Sequence, residues 1–144
     1  MKYFENGTLA DRLNRASDNN EPLSQSEICK YGFAIARDLQ AMHYEPLRMI
    51  HRDVQPDNVY IDGSEVYLGG FGYMQAFSSN TASNAQHGEA GTRIYRSPEL
   101  DNDEDYGYET DIWSLGILLY YMCSGSFPFP SKNNKRALTE YCKG

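Results

Sequence analysis

At 144 residues, with 40% apolar and 13% aromatic content, the chain is long enough for one domain and its composition argues against wholesale disorder. A domain of this size buries about 68–70% of its unfolded surface. A formal net charge of −7 disfavours nucleic acid or an anionic membrane as partner, because both select for basic surface.

Met1, Lys2, Tyr3, Phe4 and Glu5 contain no apolar signal core. Gly7 followed by Leu9 and Leu13 predicts a turn and a short helix, and the polar run Ser17, Asp18, Asn19, Asn20, Glu21, Pro22 predicts a loop. Ser24 with Glu27 three residues later forms a capping-box signature. Ile28, Tyr31, Ile35, Leu39 and Met42 then recur at helical spacing, so a helix is expected to about His43.

Val59, Tyr60, Ile61 and Val66, Tyr67, Leu68 are β-rich runs around Asp62, Gly63, Ser64 and Glu65, the pattern of a hairpin. Residues 74–90 are rich in Ser, Asn, Thr, Ala and Gln without a period, which predicts a mobile loop. The acidic run Asp101, Asn102, Asp103, Glu104, Asp105 reads as a solvated loop rather than a docking site. Residues 112–123 are apolar all round, so a central helix buried on every side is expected there. That stretch is too short to span a bilayer. Cys29, Cys123 and Cys142 are odd in number, widely spaced and without a C-x-x-C, indicating neither a disulfide framework nor a zinc site. A soluble, cytoplasmic protein of a reducing compartment is expected.

Four motifs follow one another. His51-Arg52-Asp53-Val54-Gln55-Pro56-Asp57-Asn58 comes first, then Gly70-Phe71-Gly72, then Gly91-Thr92 with Ser97-Pro98-Glu99, then Asp111-Ile112-Trp113-Ser114-Leu115-Gly116. In this order they resemble the catalytic loop, the D-F-G turn, the end of the activation segment and the F helix of protein kinases. The opening residues, through Leu9, resemble the hinge leading into the D helix. The segments Asn58-Val59-Tyr60-Ile61-Asp62 and Gly91–Glu99 are similar to those of the NIMA-related (NEK) serine/threonine kinases.

The resemblance implies roles for individual residues. Asp53 would orient the substrate hydroxyl and accept its proton, Asn58 would help hold magnesium, and Thr92 would lie beside Asp53. Met1, Phe4 and Tyr60 would edge and floor an adenine pocket, although Tyr60 could equally serve hairpin packing. His51 and Phe71 would join the hydrophobic spine, with Gly72 completing its turn. Asp111 would bond the backbone around His51 and Arg52, the plainer alternative being a helix-start residue favoured by the dipole. Arg52 would meet phosphate on Ser78, Ser79, Thr81 or Ser83, unless that stretch is a generic Ser/Thr-rich loop. Glu99 would seek Arg93, Arg96 or Arg136. ATP and Mg2+ are the cofactors implied, and proteins the partners or substrates.

Two departures reduce the chemistry. Gln55 stands where such kinases carry a lysine facing the transferred phosphoryl group, and Gly70 stands where they carry a magnesium-binding aspartate. One lost stabilising group costs about 10²–10³ in rate, so two imply a deficit of about 10⁴ or more. Neither a G-x-G-x-x-G loop nor a V-A-I-K strand occurs in the chain.

The fold expected is mainly α with a small β-hairpin (α+β), a kinase-like large lobe truncated at both ends. Residues 1–144 would form a partial kinase domain from the hinge through the F helix. Three functions are open: a NEK-like pseudokinase acting as a protein-interaction module, an ATP-dependent serine/threonine kinase whose small lobe lies upstream, and a remnant that does not fold.

Overall fold

A computed structural model describes residues 6–44, 46–77, 93–102 and 104–129. Two helices open it, α1 (Leu9–Asp18) and α2 (Gln25–His43). Each starts in a reciprocal capping box, Thr8 with Asp11 and Ser24 with Glu27, so that side chains satisfy N–H groups the first turn leaves unpaired. Arg12 reaches from α1 to Glu27 at 2.9 Å and ties the two starts together. The first helix extends through Ser17 and Asp18, residues expected in the loop, because Asn19 caps it by donating to the Arg15 and Ser17 carbonyls.

Strands β2 (Val59–Asp62) and β3 (Glu65–Leu68) pair antiparallel, with Tyr60 opposite Tyr67. Alternation sends Val59, Ile61, Val66 and Leu68 inward, against Tyr31, Ile35 and Leu39 of α2. The same layer takes Leu9 from α1. Polar bonds fasten the hairpin to α2: the Leu68 N–H donates to Asp38 at 2.8 Å and Arg37 donates to the Val66 carbonyl at 3.1 Å. Hydrophobic area supplies the driving force, at about 25 cal/mol per Å², while these bonds select the register.

A second, two-residue pair was not anticipated. Strand β1 (Met49–Ile50) runs antiparallel to β4 (Gln75–Ala76), so part of the expected mobile loop is ordered strand. The rest of that stretch, from residue 78, lies outside the described residues. Short 3₁₀ turns at Pro56–Asn58, Phe71–Tyr73 and Arg93–Tyr95 carry the motif residues. The acidic run begins in α3 (Pro98–Asp101), where Asp101 faces Arg93 at 3.4 Å, while Glu104 and Asp105 are exposed.

The last described helix is α4 (Glu109–Ser124). Leu115, Leu118 and Met122 pack into the core, but Ile112 (54% exposed), Gly116, Tyr120 (47%) and Cys123 form an open stripe. The expectation of burial on every side is thus corrected. A helix apolar all round needs neighbours all round, and among the described residues none covers that stripe. The architecture remains mainly α with a small β component, the kinase-like large-lobe class.

Candidate functional site

The segment after β1 is held from below by one carboxylate. Asp111, fully buried in the first turn of α4, accepts the His51 N–H through Oδ2 and the Arg52 N–H through Oδ1, both at 2.8 Å. Oδ2 also takes the His43 ring at 2.8 Å, from the last residue of α2. Three elements therefore meet on Asp111. Arg52 lies at φ +65, a left-handed conformation costing a non-glycine residue about 1–2 kcal/mol, and the bond to its N–H helps to hold it there.

His51 is completely buried. Its Nδ1 accepts from the Asp53 N–H at 3.2 Å and its Nε2 donates to the Gly69 carbonyl at 2.7 Å, an arrangement only the neutral Nε2–H tautomer can satisfy. Burial lowers the His51 pKa below the ordinary histidine value, against the opposing pull of the Gly69 carbonyl and of the Asp111 and Asp53 charges. A lowered folded-state pKa means stability that is complete above about pH 6.5 and is lost as pH falls through the folded value. Urea midpoints at successive pH values should fall across that window with wild-type chain, and His51→Phe should flatten this slope.

Asp53, also buried, follows on the other side of His51. Gln55 Nε2 donates to its Oδ1 at 2.9 Å, and Asn58 Nδ2 donates to its Oδ2 at 2.7 Å and to its carbonyl at 2.8 Å. Each carboxylate oxygen thus holds a neutral amide donor. Gly70 sits at φ +80 beside Asn58, and the Gly69 N–H donates to the Asn58 carbonyl at 2.8 Å, fastening the two segments together. The Tyr60 ring lies over Gly69, its Cε2 2.7 Å from where a Cβ would be.

The structure brings Asp53, Gln55, Asn58, Tyr60 and Gly70 together. Phe71 meets the His51 ring edge-on at 5.9 Å but is 56% exposed, so among the described residues the packing expected around it covers only one side. Gly72 occupies the middle of the Phe71–Tyr73 turn. Met1, Phe4 and Thr92 lie outside the described residues, as do Ser78, Ser79, Thr81, Ser83 and Arg136. A cavity of about 590 Å³ lies elsewhere, between α2 and the start of α4, lined by Leu39, His43, Arg48, Tyr108 and Ile112 among others.

Arg52 engages neutral groups: Nε donates to the Tyr73 carbonyl at 2.6 Å, and Nη1 donates to Gln75 Oε1 at 2.7 Å and to the Tyr106 hydroxyl at 2.9 Å. Tyr106 closes the ring by donating to Gln75 at 2.6 Å. Glu99 forms no ion pair among the described residues, since Arg93 turns to Asp101 instead. Gln75, Tyr106 and His43 went unrecognised in the sequence, because Gln75 and Tyr106 lie 23 and 54 positions from Arg52 and carry no motif of their own.

The magnesium ion implied by the resemblance does not fit the donors present. Magnesium is usually held by one or two carboxylates together with water and phosphate oxygens. Gly70 supplies no side chain, which leaves only the amide-bonded Asp53 and the Asn58 carboxamide as side-chain donors at this place. No helix among these residues is long and apolar enough to cross a membrane.

Comparison with known proteins agrees with this geometry. A family model described as "Protein kinase domain" matches residues 1–143. The chain is 32% identical over 146 residues to serine/threonine-protein kinase Nek5 of Mus musculus, a match covering 100% of the chain and 22% of that protein. It is 32% identical over 139 residues to serine/threonine-protein kinase Nek2 of Homo sapiens, covering 94% of the chain and 31% of that protein. Mitogen-activated protein kinase kinase 1 of Arabidopsis thaliana is 34% identical over 137 residues, covering 94% and 37% respectively. The chain spans from about a fifth to just over a third of the length of these relatives. Ordered motifs, an α+β large-lobe architecture and a match along nearly the whole chain lead to one assignment: the chain belongs to the protein kinase domain family, with NIMA-related serine/threonine kinases among its relatives.

Proposed function

We propose that residues 1–144 are the hinge-to-F-helix part of a NIMA-related kinase domain that has become a pseudokinase, recruiting protein partners without efficient phosphoryl transfer. One observation carries this reading. The Asp53 carboxylate, which in an active kinase would orient a substrate hydroxyl, has one oxygen on Gln55 and the other on Asn58. Phosphoryl transfer depends on positioned charge around the phosphates, and here the nearby groups are two amides and a glycine. What remains ordered is the framework: His51, Asp111 and the two strand pairs.

Proteins are the natural partners of such a framework. A net charge of −7 disfavours polyanions, and the composition favours the cytoplasm as the place of action. The competing enzymatic reading draws on the burial of Asp53 beside Asn58, a geometry that a small lobe supplying the phosphate grip could still use.

A thermal-shift titration with ATP and magnesium, run beside a labelled-phosphate transfer assay, separates the two. The pseudokinase reading expects no magnesium-dependent stabilisation and no transfer above an Asp53→Asn control. Saturable stabilisation with transfer that Asp53→Asn abolishes would overturn it.

A further inference from the structure

The exposed edges of α2 and α4 flank one groove. Cys29, Phe33, Ala36 and Gln40 recur at helical spacing along the solvent side of α2, and Ile112, Gly116 and Cys123 do so along α4. Ala36, Gln40 and Ile112 line the same cavity, so the two edges open toward each other.

Two contacts fix how the helices run. His43, the last residue of α2, meets Asp111 in the first turn of α4, with Nε2 2.8 Å from Oδ2. Further back in α2, Gly32 faces Leu119, whose Cδ2 stands 2.8 Å from where a Cβ on that glycine would be. The helices are therefore antiparallel and in close contact at Gly32. One turn beyond, Cys29 lies three residues before Gly32 and Cys123 four residues after Leu119, which sets the two at the same end of the groove. Both are exposed free thiols.

We propose that Cys29 and Cys123 are a redox-responsive pair that closes into a reversible disulfide across the groove, stapling α2 to α4 when the surrounding glutathione pool turns oxidising. Sequence spacing hides the pair, because 94 positions separate the two residues and only helix packing brings them together. Disulfides of a reducing compartment are characteristically of this transient, sensing kind.

The chemistry is thiol–disulfide exchange. One cysteine thiolate attacks glutathione disulfide, forming a mixed disulfide and releasing a glutathione thiolate; the other attacks the protein-bound sulfur, forming the Sγ–Sγ bond and releasing the second glutathione. The protein thiols give up two electrons and two protons, and the two glutathione thiols receive both. Cys29 sits in the second turn of α2 and Cys123 in the last turn of α4, so closing the bridge draws on helix ends, which shift more readily than helix middles. The staple ties the helix that ends at His43 to the helix that begins beside Asp111. It thereby strengthens the seat of the His51 and Arg52 N–H groups without touching it.

The test incubates the full reduced chain with glutathione disulfide, in water and in urea, then quenches with N-ethylmaleimide. Intact mass and non-reduced peptide mapping read the result. The folded monomer should yield one linked pair, Cys29 with Cys123, and carry a single maleimide on Cys142; dithiothreitol should reverse the link. Unfolded in urea, the chain should favour Cys123 with Cys142, only 19 positions apart, since loop closure favours the shorter separation. Cys142→Ser should leave the native link intact, whereas Cys29→Ser and Cys123→Ser should each abolish it. Oxidation should raise the folding equilibrium constant about 30- to 1,000-fold, the usual range for a disulfide. Glutathione adducts on Cys29 and Cys123 without a link between them, a native link that requires Cys142, or links between monomers alone would overturn the pair. So would a Cys29–Cys123 link that forms equally well in urea.

Discussion

Asp111→Ala should destabilise the chain by about 3–5 kcal/mol, the range for removing one partner of a buried charged network. Truncation leaves the buried His51 N–H and the half-buried Arg52 N–H without an acceptor and deprives the His43 ring of its partner. An unsatisfied buried group costs about 1–3 kcal/mol, so two backbone donors alone account for most of the loss. The left-handed Arg52 would lose the acceptor of its N–H as well. Because a domain of this kind is stable by about 5–15 kcal/mol, the variant should lose from about a fifth of that stability to all of it. Urea denaturation followed by circular dichroism reads the loss. A change below about 1 kcal/mol would reduce Asp111 to an ordinary helix-start carboxylate, whose dipole contribution is of that size.

Reinstating both missing charges should recover about 10⁴ in phosphoryl-transfer rate, but only when the glycine-rich loop and strand lysine of a kinase small lobe are fused upstream. Each group is worth about 10²–10³, so Gln55→Lys alone should recover at most one such factor. Gly70→Asp is the harder step. An aspartate there must accept the left-handed backbone and push Asn58 off Asp53, so this variant should lose stability before it gains a metal ligand. The single and double variants, with and without the fused lobe, can be compared by initial rates of labelled-phosphate transfer. Activity of the double variant without the lobe would show that residues 1–144 already hold the nucleotide.

The expected effects differ in kind because the two carboxylates differ in surroundings. Asp111 is enclosed by donors that have nowhere else to turn, so its removal is felt in folding. Asp53 is held by side-chain amides that could find water, so its substitution should be felt less in folding.

Local elements were readable because their causes are local. The Ser24–Glu27 box and the recurrence of Tyr31, Ile35, Leu39 and Met42 announced α2, and the β-rich runs around Gly63 announced the hairpin. The first helix ran past its expected end, where Asn19 supplies a cap that leaves little trace in composition. Helix α4 was expected in the right place, yet its open stripe was not foreseen, since the apolar pattern of a helix says nothing of how many neighbours it has. The strand pair β1 with β4 escaped notice because two residues on each side make no period.

In the site, the sequence by itself determined which groups are present: a carboxylate at 53, amides at 55 and 58, and no side chain at 70. Tertiary structure alone decided what those groups do to one another. It set Arg52 on Gln75 and Tyr106, and it set His43 and two backbone amides on a single carboxylate. It also placed the Asn58 side chain in the volume beside Gly70. The physical reason is one of range. Capping and hydrophobic periodicity act over a few residues and are written in their order, whereas a hydrogen bond between positions 52 and 106, or a collision between 58 and 70, exists only after the chain has folded them together.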